Sequence, residues 1–144
     1  MNSIIEIEEF PNNDAVARTK THDDYNVARQ RLTAMILSVG KIIRKLRKPV
    51  LEYSVHRERQ VLLTELTALR SRCTRVLNQT KVALANMEKK TYKWETFEVY
   101  RDHLNEVEST LSHTHGFSLR AEDFLNYGVV EYIKTIRETG KRPD

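Results

Sequence analysis

Leu62, Leu66, Leu69, Cys73, Val76, Thr80, Ala83 and Met87 follow one another at alternating steps of four and three. A period of 3.5 is the seam of a coiled coil. Neither Pro nor Gly interrupts the chain between Val50 and His115. The pattern therefore predicts a long helix whose apolar stripe must be covered, by the same chain or by another. Each fully buried large apolar side chain contributes roughly 1.5–3 kcal/mol, so a bare seam is untenable in water.

A second stripe precedes it. Tyr25, Ala28, Leu32, Met35, Val39, Ile42 and Leu46 recur at steps of three and four, with Ile36 and Ile43 widening the face. Thr21 suits the N-cap of this helix, with Asp23 and Asp24 against its positive end. Gly40 interrupts the stripe at about 1 kcal/mol relative to Ala, and marks a candidate close helix crossing. Pro49 ends or kinks the helix and suits the first position of the next one. After Lys89 the heptad phase changes, because Trp94, Phe97 and Tyr100 lie three apart. A turn near residues 89–92 is the simplest reading. Leu104, Val107 and Leu111 extend the third stripe. His113-Thr114-His115-Gly116 then reads as a helix end, and Ser118 as the cap of a fourth helix carrying Phe124, Leu125, Val129, Tyr132, Ile133 and Ile136.

The predicted fold is therefore all-α: an elongated bundle of three to four helices with a long coiled-coil-like second helix. One helical domain is expected over 21–140, with helices at about 22–48, 49–89, 92–113 and 118–139. Residues 1–20 read as an acidic and apolar N-terminal arm, where Ile5 and Ile7 alternate with Glu6 and Glu8 at strand period. Residues 141–144 read as a tail. A chain of 144 residues with 40% hydrophobic and 31% charged residues suits a single soluble domain. Four Gly and three Pro are too few for an all-β fold. The lone Cys73 forms no internal disulfide, the first residues are acidic where a signal peptide is basic, and no apolar run is long enough to span a bilayer. An intracellular, soluble protein is expected, cytoplasmic or nuclear.

Charge adds the strongest functional signal. The net charge of +4 hides an acidic N-terminus, a basic block over 29–59 and a second acidic block over 94–113. Lys41, Arg44, Lys45 and Lys48 share one helix face, Arg47 adjoins them, and Arg57 adds charge on the next helix. Such a face can pair with acids inside the fold, recruit an acidic partner, grip phosphate, bind anionic lipid or act as an import signal. With Tyr53 as the sole aromatic nearby, base stacking is not supported, whereas backbone contact is.

No enzyme chemistry is legible. Asp102, His103, Glu106, His113 and His115 lie close in sequence, but His103-x-x-Glu106 occurs once and lacks the second copy that a di-iron bundle requires. Cys73 falls on the apolar seam, where burial suppresses thiolate formation. Gly40-Lys41 lacks the rest of a phosphate loop, and Phe124 is too large for the tight crossing of a helix-turn-helix around Gly128. No catalytic residue, cofactor, metal or small-molecule substrate is expected. The first functional expectation is a non-enzymatic assembly or scaffold protein, or a subunit of a larger complex. It would self-associate or bind a protein partner through Leu62, Leu66, Leu69 and Val76. The alternative is a nucleic-acid-associated protein that contacts phosphate through Lys41, Arg44, Lys45, Arg47, Lys48 and Arg57.

Overall fold

A computed structural model describes the backbone over residues 15–48, 56–89 and 97–139, and the side chains over 18–48, 57–89 and 98–126. Three helices pack against one another: α1 (Ala15–Leu46), α2 (His56–Met87) and α3 (Phe97–Thr139). Among the described residues there is no strand, and no helix is long and apolar enough to cross a membrane. The strand reading of Ile5 and Ile7, the hinge at Pro49, the position of Trp94 and the tail at 141–144 lie outside the described residues.

The three stripes meet in one core, built as successive clusters along the helices. Tyr25, Met87 and Tyr100 pack at one end, with Ala83, Leu84 and Leu104 beside them. Ala28, Leu32, Cys73, Val76, Leu77, Val107 and Leu111 fill the middle. Val39, Ile42, Ile43, Leu46, Leu62, Leu66 and Ala121 close the other end. The start of α1 thus lies beside the end of α2 and the start of α3, so the chain runs up, down and up. At 32, 32 and 43 residues, the helices are about 48, 48 and 65 Å long at 1.5 Å per residue.

Two boundaries differ from the sequence reading. α1 begins at Ala15, so residues 15–20 belong to the helix rather than to an arm. Thr21 lies well inside it and is buried, 1% exposed, rather than capping its start. The larger correction concerns the third and fourth helices, which are a single helix running through Gly116. Ser118 is buried within it and caps nothing: its hydroxyl donates to the Thr114 carbonyl at 2.8 Å, and Thr114 donates to the Thr110 carbonyl at 2.7 Å. The reason is visible in the burial pattern. Tyr100, Leu104, Val107, Leu111, Thr114, Ser118, Ala121 and Leu125 follow one another at steps of four and three, and every one is buried or half-buried. The inward stripe continues through small and hydroxylated residues. Gly116 points into open space on the outer side, so its helix cost is offset by the burial of Ala121 and the packing of Phe117, Phe124 and Leu125 beyond it.

Candidate functional site

The four seam residues expected at a partner interface lie inside the chain's own core or at its edge. Leu62, Leu66 and Val76 are 0% exposed and pack against α1 and α3, while Leu69 is half-buried. The stripe of α2 is covered by the other two helices of the same chain. Cys73, also 0% exposed, has its Sγ 3.4 Å from Thr114 Oγ1, and its thiol is shut off from solvent.

The histidines and acids of α3 separate into different tasks. His103 is half-buried, its ring centroid 4.8 Å from that of Tyr25, with Nε2 2.8 Å from Thr80 Oγ1. Thr80 spends its one proton on the Val76 carbonyl at 2.9 Å, so His103 Nε2–H is the donor in this contact. Asp102 pairs with the adjacent Arg101. Glu106 accepts from Arg72 at 3.5 Å and forms an ion pair with Arg75 at 3.6 Å, and His113 Nδ1 lies 3.2 Å from Arg72 Nη1. Among the described residues, no three His, Cys, Asp or Glu side chains converge as metal ligands would.

Beside His103, Tyr100 stacks on Tyr25 with ring centroids 6.1 Å apart and 7° between planes. Its hydroxyl donates to Asp24. Burial first, then the hydrogen bond to Asp24 and its negative charge, push the Tyr100 hydroxyl well above its ordinary value. This cluster closes one end of the core.

The basic block divides sharply. Arg31 pairs with Glu108 of α3, whose carboxyl this hydrogen bond holds below its ordinary value, and Arg29 donates to Asn26 at 2.6 Å. Arg59 is buried, 9% exposed, and its Nη1 donates to the carbonyl of Leu46 at 3.0 Å. It thereby satisfies a carbonyl left open at the end of α1 and ties α2 to it. That role was hidden in the sequence, where Arg59 reads as one more surface cation. On α2 and α3, Arg120 pairs with Glu58 at 2.7 Å and rests on the Phe117 ring.

The six residues proposed from the sequence as phosphate contacts behave differently. Lys41, Arg44, Lys45, Arg47, Lys48 and Arg57 are all exposed, and none has an ion pair among the described residues. Between Asp24 and Glu52 the chain holds no acidic residue at all, so α1 offers these cations no i,i+4 carboxylate partner. Arg44 and Lys45 sit in the last turn of α1, beside the negative end of its dipole. Lys41, Arg44, Lys45 and Lys48 occupy the helix face opposite Val39, Ile42 and Leu46, which enter the core.

A shallow groove on the outer side of α2 is lined by Ser71, Thr74, Arg75, Asn78, Gln79 and Val82. Its lining comes from one helix, so it encloses nothing. Compared with known proteins, the chain matches no family model, no curated protein and no solved structure.

Proposed function

We propose that this chain is a non-enzymatic, nucleic-acid-associated helical protein that grips phosphate backbone at the joined ends of α1 and α2. One observation carries the reading: Lys41, Arg44, Lys45, Arg47, Lys48 and Arg57 lie close together in the chain, exposed and without carboxylate partners among the described residues, whereas Lys20, Arg31, Arg72, Arg75, Arg101 and Arg120 are paired. Within this reading, the stripes at steps of four and three form a coiled-coil-like core that holds the cationic face rigid. Lys41, Arg44, Lys45, Arg47, Lys48 and Arg57 supply charge without aromatic stacking, so contact is with phosphate and is indifferent to base sequence. If about five phosphates are engaged, raising salt from about 50 to 200 mM weakens binding on the order of several hundredfold. Fluorescence titration of a labelled duplex checks this. A Kd that ignores salt, or no binding at low salt, removes the proposal.

The second reading is assembly with a protein partner, and it has a weaker support. Val27, Leu37, Val61, Val82, Val99 and Leu119 are large apolar residues at least 43% exposed, spread over the three helices. Sedimentation velocity separates the two: a monomer free of nucleic acid at high salt fits the first, and a concentration-dependent dimer fits the second.

A further inference from the structure

Gly40 interrupts the inward stripe of α1, where a glycine costs about 1 kcal/mol relative to alanine. What borders the space of its missing side chain is Arg70 of α2. A Cβ on Gly40 would lie 3.2 Å from Arg70 Nη2, 3.5 Å from Cζ and 3.7 Å from Nε. The Arg70 guanidinium therefore lies against the open side of Gly40. Gly40 itself is buried, whereas Arg70 stays exposed and has no ion pair among the described residues.

Two further arginines lie along α1 from this seat. Arg44 and Arg47 follow Gly40 at four and seven residues, on the same flank of α1, about 6 and 10 Å further along the axis. Arg47 lies just beyond the last helical residue, but its N–H still bonds the Ile43 carbonyl at 3.0 Å, so it continues the helical path. Both are exposed and without carboxylate partners among the described residues. Guanidinium is the group that recognises phosphate through paired, planar N–H donors, which lysine cannot reproduce.

We infer that Arg70, seated on Gly40, completes a guanidinium site with Arg44 and Arg47 that takes a backbone phosphodiester of a nucleic acid. The site rests on the function proposed above and extends it to α2. Arg70 would be a direct phosphate contact, and Gly40 the positioning residue that lets it lie beside α1.

The test is titration of a labelled mixed-sequence DNA duplex of about 20 base pairs against the full chain across a salt series. Arg70→Ala is expected to weaken low-salt binding roughly tenfold and to lower the salt slope by about one. Arg70→Lys keeps the slope but loses part of the affinity. Gly40→Ala shifts the guanidinium by a few tenths of an ångström, so it weakens duplex binding less than Arg70→Ala does and does not lower the melting temperature. A merely structural glycine would not behave so. If Arg44→Ala weakens binding while Arg70→Ala and Gly40→Ala leave it unchanged, the site is overturned and the broader reading stands. If the unsubstituted chain binds no duplex at low salt, both fall. Arg70-dependent binding to phosphatidylserine vesicles with no duplex binding overturns the nucleic-acid assignment.

Discussion

Tyr100 shows how one buried polar atom ties titration to stability. It is 3% exposed, and its hydroxyl donates to Asp24, which Lys20 also contacts at 3.0 Å. Burial and the neighbouring carboxylate raise its pKa above the ordinary 10.0. A raised folded value means that the stabilisation is fully present below the unfolded pKa and is lost as pH rises beyond it. Above about pH 10 the unfolded chain releases this proton and the folded one retains it, so stability falls by up to about 1.4 kcal/mol per pH unit. Tyr100→Phe is therefore expected to cost about 1.5–3 kcal/mol at neutral pH, as a hydrogen bond to a charged group does. The gap between the two proteins should narrow as pH is taken from about 9 to 11. Urea denaturation at a series of pH values reads this, and two curves that stay parallel would show that the hydroxyl does not titrate with folding.

At the scale of an element, α3 sets local signals against tertiary packing. Gly116 after His113-Thr114-His115 resembles a helix end, where a glycine at C′ adopts the left-handed conformation. In the structure the residue is helical and open to the outside. The two conformations predict opposite consequences for a methyl group. In a helix interior with free space, Gly116→Ala stabilises by about 0.4–1 kcal/mol. At a left-handed cap it would destabilise instead. A thermal melt followed by circular dichroism distinguishes them, and a lowered melting temperature would restore the break between two helices. The inward residues Thr114 and Ser118 satisfy their hydroxyls on carbonyls of their own helix, so they cross the core without needing partners from another element.

For the whole molecule, the burial of the α2 seam changes what a charge placed on it does. Leu66 is 0% exposed between Val39, Ile42 and Ala121. Leu66→Asp removes a buried side chain worth about 2–5 kcal/mol and leaves a carboxylate without a partner. That sum approaches the whole stability of a typical domain, about 5–15 kcal/mol. The expected outcome is loss of the cooperative melt in the monomer itself, with Leu69→Asp, half-buried, costing less. A Leu66→Asp chain that melts like the unsubstituted one would return this leucine to an intermolecular interface. Charge is organised on the same scale. Arg31 with Glu108, Arg72 and Arg75 with Glu106, and Arg120 with Glu58 bridge helices on the outside of the core. Such half-exposed pairs are worth about 0–1 kcal/mol each, so packing rather than pairing holds the helices together. Among the described residues, six of the cations left without a carboxylate lie where α1 ends and α2 begins.

The apolar spacing by itself determined that the chain is helical and that the stripes of α1 and α2 face a core, while Pro49 and the change of phase after Lys89 put the helix ends within a few residues of Leu46 and Met87, where α1 and α2 stop. Steps of three and four return to one side of a helix whatever surrounds it, so that side is readable without a partner. The same spacing could not say who covers it, because an intramolecular neighbour and a second chain demand the same leucines. Only the folded structure decided that α1 and α3 bury Leu62, Leu66 and Val76. It also carried α3 through Gly116, since Thr114, Ser118 and Ala121 are too small or too polar to register as a stripe until α1 and α2 lie against them. Among the cations, the residue types offered no way to separate Arg31 and Arg59 from Lys41, Arg44, Lys45, Arg47, Lys48 and Arg57. Whether a charge meets a carboxylate, a carbonyl or water depends on contacts between residues far apart in the chain. Those contacts put Arg31 on Glu108, Arg59 on the Leu46 carbonyl and Arg70 against Gly40, and left Lys41, Arg44, Lys45, Arg47, Lys48 and Arg57 exposed.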